Sequence, residues 1–243
     1  MTSFRLKSNH YIHQPDGKLQ FNRELFAAIA PEYGRMSGVL SLGQDRRWKQ
    51  ALVAALPERV APVCLDLASG NGDLAALLLD RYPDAEVTAL DLTEPMLDLA
   101  RDRFGANPRI VYRQADMTAT ALPTESFDLI TVGYGLRNAP DLDQALAEIA
   151  RLLRPGGIVA TLDFSRWNRA SSLELALLGF WCGLWGLIRS GNADTYGYIA
   201  DSLAQYPRRE ALHRQFARHG LLTTTTQLHF LGVIEIIIAA KHG

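Results

Sequence analysis

The stretch from Val63 to Ala75, VCLDLASGNGDLA, sets Gly70 and Gly72 between an apolar run and a helical one. Missing side chains there let a ligand approach the backbone, and a helix N-terminus offers N–H groups that have no partner within the helix. Asp91 closes the next β-rich run, 21 residues after Gly70, where a carboxylate can accept hydrogen bonds from both hydroxyls of a ribose. Asp66, inside the end of the first run, can help position a cationic or amino-bearing group and would repel a pyrophosphate. Further on, Asp116 can accept from an adenine amino group and Met117 can lie against the ring. The plainer alternative makes Asp116 a turn cap and Met117 core. The set predicts a grip on the adenosine part of a nucleotide-type cofactor. A dinucleotide site competes, because GNGDLA also fits G-x-G-x-x-A. Asp66, the lack of a Tyr-x-x-x-Lys pair and the lack of room for a large second catalytic domain weigh against an oxidoreductase.

These residues need strands and helices to hold them. β-rich runs at 63–67, 86–90, 109–114, 127–132 and 157–164 alternate with helical runs at 73–81, 94–104 and 142–153, the pattern of a mostly parallel sheet with helices on both faces. Arg137 and Asn138 follow the fourth strand at the carboxyl edge, where open α/β sheets bind ligands. Arg137 can stabilise a developing phenolate and Asn138 can orient a hydroxyl or water; a surface ion pair and a helix cap are the alternatives. Residues 1 to about 20, with Pro15-Asp16-Gly17, read as an irregular arm. Short helices follow at 21–29 and 46–56, joined through Pro31 and the glycine-containing stretch 34–43, and residues 194–218 hold two helical stretches separated at Pro207. The runs 221–230 and 233–240 read as a β-hairpin.

With 25 Lys+Arg against 26 Asp+Glu, the chain offers no basic field to gather nucleic acid, which favours a small-molecule substrate. Cys64 and Cys182 lie in apolar runs without Cys-x-x-Cys spacing and are expected to be buried free thiols. No secretory signal is evident at the amino terminus, so an intracellular setting is expected. The apolar run from Leu175 to Ile188 is shorter than the roughly 17 to 25 residues of a membrane span, and can serve as a pocket wall or an interfacial contact. His10 and His13 are candidate bases only if the arm folds over the site, and their spacing is poor support for a metal.

Four pieces, in order, resemble class I S-adenosylmethionine-dependent methyltransferases: LDLASGNGDL, ALDLTEPML, Ala115-Asp116 and LRPGG from Leu153 to Gly157. A narrower resemblance is to the UbiE/COQ5 group of ubiquinone and menaquinone C-methyltransferases. It rests on YGRMSGVLSLGQDRRWK from Tyr33 to Lys49, Gly135-Leu136-Arg137-Asn138, and ADTYGYIADSLAQYP from Ala193 to Pro207. Departures are Gly34, Ser37-Gly38, Ser69, Asn71 and the run FLGVIEIII from Phe230 to Ile238, so the cofactor signature is better kept than the acceptor side.

The resemblance implies a Rossmann-like α/β fold. Its sheet is seven-stranded and mostly parallel with an antiparallel C-terminal strand, and a helical lid or insertion covers it. Residues 1–56 would be arm and lid and 57–243 the core, with a substrate-binding insertion at 165–207. The implied cofactor is S-adenosylmethionine, held by Asp66, Ala68, Gly70, Gly72, Asp91, Leu92, Met96, Asp116, Met117 and Gly133, with Arg47 from the lid. Catalytic candidates are Tyr33, Arg137 and Asn138. Acceptor candidates are Tyr134, Phe180, Trp181, Trp185, Tyr196 and Tyr198; of the last pair, at i and i+2 on one helix, only one is expected to face inward. The expected reaction is carbon methylation of an aromatic, quinol-like or polyketide-like hydrophobic molecule, without metal. O- or N-methylation, or a non-methylating pericyclic catalyst that keeps the cofactor pocket, are the alternatives. A peripheral membrane contact and a homodimer are both compatible with this reading, and the expected location is cytoplasmic.

Overall fold

The computed structural model describes residues 11–166 and 172–242. Seven strands form one sheet: β1 (Val63–Leu67), β2 (Glu86–Asp91), β3 (Ile110–Gln114), β4 (Phe127–Gly133), β5 (Leu153–Phe164), β6 (Leu221–His229) and β7 (Ile234–Lys241). Their order is β3-β2-β1-β4-β5-β7-β6, with β7 inserted antiparallel between β5 and β6 and all other pairs parallel. The order reverses between β1 and β4, and a crevice must open at that switch because the connections leave in opposite directions.

Period-two alternation along the strands divides the core. Leu65 and Leu67 face one way, with Leu146 and Ile149 of α6 (Leu142–Leu152) and Phe216 of α9 (Arg209–Arg218). Cys64 and Val87 face the other way, with Leu52 of α3 (Asp45–Ala54) and Leu74 and Leu78 of α4 (Asp73–Arg81). α5 (Glu94–Phe104) follows β2. A third apolar cluster lies in a helical layer over the crevice, built from α1 (Pro15–Ile29), α2 (Tyr33–Leu40), α7 (Ser172–Ser190) and α8 (Asp194–Gln205), and closed onto the sheet side by Met96. Both cysteines are free and buried.

Three boundaries differ from expectation. Pro15-Asp16-Gly17 begins α1 and is not an irregular stretch: proline at N1 loses no hydrogen bond and Asp16 complements the positive helix end. Gly34 and Gly38 sit inside α2, whose Met36 is buried against neighbouring helices; that packing outweighs about 1 kcal/mol of propensity per glycine. β5 starts at Leu153, ahead of Gly157, and absorbs the Pro-Gly-Gly through an irregularity in its pairing with β4. Among the described residues no helix is long and apolar enough to cross a membrane.

Candidate active site

The loop after β1 turns through backbone of positive φ at Ala68, Gly70 and Gly72. The two glycines serve different ends. Gly70 lies against the Tyr33 ring, which would stand 3.5 Å from an added side-chain carbon, and it borders the crevice. At Gly72 an added carbon would lie 2.7 Å from Phe104, so this glycine lets α4 and α5 pack, and it does not face the crevice.

Asp91, at the end of β2, ties the two loops together. Its Oδ2 accepts the Gly70 N–H at 2.9 Å, and its Oδ1 accepts the Thr93 N–H at 3.0 Å and hydroxyl at 3.2 Å. Burial pushes this carboxyl up, and the bonds from Thr93 and Gly70 pull it back. Asp91 lines a narrow cleft with Ala68, Gly70, Leu92, Met96, Asp116, Met117 and Gly133. Asp116 also caps its own turn by accepting the Thr118 N–H at 2.9 Å, so the capping alternative and the cleft position hold together.

Besides Gly72, two more of the cofactor candidates lie elsewhere. Asp66 is only 1% exposed and does not line the cleft; its oxygens accept from Ala75 N at 3.0 Å and Thr131 Oγ1 at 2.9 Å. It pins the start of α4 to β4 from beneath. Burial pushes its carboxyl up to about 7 against those two bonds. Arg47 is exposed and lines neither cleft nor cavity, because the buried face of α3 presents Asp45, Trp48 and Lys49.

Beyond the cleft opens a cavity of about 730 Å³ between the sheet edge and the helical layer. Phe26, Tyr33, Tyr134 and Asn138 line both spaces and form the wall between them. Arg137 lines the cavity, 3% exposed. Its backbone N–H donates to Asp163 Oδ2 at 3.0 Å, its Nε lies 3.4 Å from Asp163 Oδ1, and its Nη1 donates to Ser202 Oγ. The guanidinium lies 5.3 Å from the Phe164 ring centroid and 5.6 Å from that of Tyr198. Burial works against this charge, but Tyr198 and Asp163 outweigh it and keep the group charged. Asn138 donates from Nδ2 to Tyr134 O at 3.0 Å, while its buried Oδ1 has no partner in the protein. Burial drives the phenols of Tyr33 and Tyr134 far up.

Of the other acceptor candidates, Trp181, Tyr196 and Tyr198 line the cavity. Both tyrosines do so, against the expectation that only one would. α8 is covered on more than one side: Tyr198 packs on Phe21 and Phe26 of α1, and α7 runs against α8 elsewhere. Trp185 supports Trp181 edge to face at 5.9 Å between centroids without lining the cavity, and Phe180 is 70% exposed and does not line it either. His13 is exposed beside Gln205 and lines neither space; His10 lies outside the described residues. Among the described residues, no group of three or more His, Cys, Asp or Glu is placed to hold a metal ion.

Asp45, Lys49, Asp163 and Ser202 escaped the sequence reading. Lys49 Nζ bridges Asp45 Oδ2 at 2.6 Å and Asp73 Oδ2 at 2.8 Å, and holds α3 to α4. Asp163 carried a signal, an acid inside the otherwise apolar strand IVATLDF, which must find a partner to be buried. Asp45 and Ser202 carried none.

A parallel sheet with a reversed C-terminal hairpin, and a carboxylate-lined cleft at its switch point, define a class I S-adenosylmethionine-dependent methyltransferase. The family model described as "ubiE/COQ5 methyltransferase family" matches residues 16–241, and the chain belongs to that family. It is 37% identical to the demethylmenaquinone methyltransferase of Deinococcus radiodurans over 88% of this chain and 90% of that one. It is 34% identical to the ubiquinone/menaquinone biosynthesis C-methyltransferase UbiE of Dinoroseobacter shibae, over 87% of this chain and 88% of the other. Among solved structures, the methyltransferase in complex with the Haloferax volcanii Trm112 activator shares the fold, with TM-score 0.66 at 16% identity over 90% of this chain and 98% of that one.

Proposed function

We propose that the chain transfers a methyl group from S-adenosylmethionine to a ring carbon of a hydrophobic quinol-like acceptor, the class of molecule named for its Deinococcus and Dinoroseobacter relatives. The observation that carries this reading is the 730 Å³ cavity, lined by rings and aliphatic side chains and separated from the cofactor cleft only by Phe26, Tyr33, Tyr134 and Asn138. The bound cofactor supplies an electrophilic methyl, and the protein's task is chiefly alignment. In this reading Asp91 holds the ribose hydroxyls, Asp116 the adenine amino group and Met117 the ring face, with Ala68, Gly70, Leu92, Met96 and Gly133 shaping the cleft. The free Oδ1 of Asn138 takes a hydrogen bond from an acceptor hydroxyl, and Arg137 supplies a positive field for a developing phenolate. Residues 1–56 act as a lid and 165–207 as the acceptor-binding insertion on the core.

The test is incubation of the purified protein with methyl-labelled S-adenosylmethionine and a reduced demethylmenaquinone carrying a short prenyl tail. A carbon-linked label is expected by mass spectrometry; a label on oxygen, or none, would overturn the reading.

A long prenyl tail needs an apolar route. Leu177, Phe180, Leu184, Leu187 and Ile188 form an exposed stripe at helical spacing on α7, and Leu177 also lines the cavity. This stripe supports peripheral contact with a membrane surface. Flotation with liposomes should carry the protein upward, and carry the Phe180→Glu variant less; equal failure of both to float would remove this part of the reading.

A further inference from the structure

Carbon methylation of a hydroxylated ring is hastened when the ring hydroxyl gives up its proton, because the oxygen's electron pair then raises the density at the neighbouring carbon. The phenols of Tyr33, Tyr134 and Tyr198 cannot take that proton, since each is held protonated by burial. No histidine among the described residues lines the cavity, and Asp163 is committed to Arg137 and to the Arg137 and Phe164 N–H groups. One carboxylate remains among the described residues that line it: Asp45, the first residue of α3, 8% exposed.

The two oxygens of Asp45 are unlike. Oδ2 is fixed by Lys49 at 2.6 Å, and Lys49 is anchored in turn on Asp73. Oδ1 is buried and makes no hydrogen bond of ordinary geometry, with the Tyr134 hydroxyl turned toward the carboxylate. A buried carboxylate oxygen left bare beside a cavity is costly, and a donor arriving with the ligand removes that cost. The groups facing Asp45 are Lys49 on its own helix, with Asp73 of α4 behind it, the Tyr33 phenol of α2 and the Tyr134 phenol after β4. Tyr33 and Tyr134 both belong to the wall between cofactor cleft and cavity, so Asp45 stands on the side where the transfer must take place.

We propose that Asp45 Oδ1 binds the ring hydroxyl beside the methylated carbon, the quinol hydroxyl not held by Asn138, and accepts its proton during methyl transfer. This assignment rests on the quinol-like acceptor proposed above. The hydroxyl proton passes to Oδ1 and its electron pair stays on the ring oxygen. The adjacent ring carbon bonds to the methyl as the carbon–sulfur bond breaks, and the sulfur leaves as a neutral thioether. The proton on that ring carbon then departs to solvent, and Asp45 returns its own proton to the ring oxygen. One methyl replaces one hydrogen, with a net release of one proton. Lys49, held by Asp73, fixes Oδ2 and so sets the orientation of the carboxylate; it is a positioning residue.

Asp45→Asn keeps the shape and removes the basicity. With the short-tailed quinol at pH 7, kcat should fall on the order of a hundredfold, KM should move only a few-fold, and S-adenosylmethionine affinity by calorimetry should be unchanged. The deficit should shrink as pH rises toward the hydroxyl's own ionisation, and with ring-fluorinated quinols whose hydroxyls are more acidic. A purely structural role for Asp45 gives the same deficit at every pH and every acceptor acidity, and that result would overturn the proposal, as would no deficit. A binding measurement keeps the test independent of the acceptor's identity. The wild-type protein should bind 1-naphthol more tightly than 1-methoxynaphthalene, about tenfold, and Asp45→Leu should lose the preference while still binding the ether. Wild-type protein that makes no distinction between the two removes Asp45 from this role. A preserved distinction without methylation of any quinol would leave Asp45 in place and remove the quinol reading.

Discussion

The cofactor cleft and the acceptor cavity share a wall but are built from different materials. The cleft is made of backbone at strand ends, fixed by carboxylates that accept backbone N–H groups: Asp91 from Gly70 and Thr93, Asp66 from Ala75, Asp116 from Thr118. The cavity is made of side chains from helices far apart in sequence, fixed by a buried ion pair whose partners stand 26 residues apart and by rings. Backbone-built sites tolerate changes of side chain nearby and fail mainly in affinity. Side-chain-built sites fail in stability and in chemistry together, because the same groups hold the wall and meet the ligand.

The largest effect is expected on the cavity side. Arg137→Ala leaves Asp163 buried without its cation, empties the space between Phe164 and Tyr198, and orphans the bond to Ser202. The expected loss is about 3 to 5 kcal/mol in urea unfolding, with turnover lost as well. The double variant Arg137→Met with Asp163→Asn sharpens the point: the buried charge is gone, and the single amide oxygen keeps one of the two backbone N–H bonds while the other is lost. Part of the stability should return and the turnover should not. If turnover returns too, Arg137 only holds the wall.

This contrast also explains what the sequence made legible. Val63–Leu67, Asp73–Arg81 and Glu94–Phe104 stand where local pattern put them, since alternation and glycine loops are short-range signals. Gly70, Asp91, Asp116 and Met117 reach the cleft for the same reason: strand ends of a parallel sheet converge by topology alone. Gly72 and Asp66 show the limit of that logic. Both fit the motif, and both turn out to serve packing beneath the loop, a distinction made by Phe104, Ala75 and Thr131, which pattern cannot place. On the cavity side, whether Tyr196, Tyr198, Trp181 or Phe180 faces inward depends on how four helices stack, and Asp45 matters only because α3 brings it beside Tyr134. Arg47, two positions on in the same helix, points to solvent because successive helical residues are turned about 100° apart.

On the cleft side the expected failure is in affinity. Asp91→Ala removes the acceptor of two backbone N–H groups and the carboxylate proposed for the ribose. The dissociation constant for S-adenosylmethionine should rise about 10- to 100-fold, equivalent to about 1.5 to 3 kcal/mol, with kcat at saturating cofactor nearly kept. Unchanged affinity by calorimetry would show that Asp91 is only the tie between the β1 and β2 loops. A fall in kcat as large as the fall in affinity would erase the distinction drawn between the two regions.

The smallest effect tests whether the cleft's scaffold carries a cost of its own. Asp66 has its carboxyl pushed up to about 7 by burial from an ordinary value of 3.8. Below about pH 4 the group is protonated in both folded and unfolded chains and contributes no difference. As pH rises toward 7 the unfolded chain gives up its proton freely while the folded one holds it, so stability falls; above 7 both are ionised and the cost is complete. Between pH 5.5 and 7.5 the wild-type protein should therefore lose about 2 kcal/mol from this group. Asp66→Asn can accept from Ala75 N and donate to Thr131 Oγ1, so it keeps both contacts without the titration. Comparing the slopes of urea-unfolding stability against pH for the two proteins separates the contribution of Asp66 from that of every other ionising group. Parallel slopes would mean that Asp66 ionises in the folded protein as easily as in the unfolded chain. The backbone-built side of the site would then be held by an ordinary charge and carry no desolvation cost beneath its glycine loop.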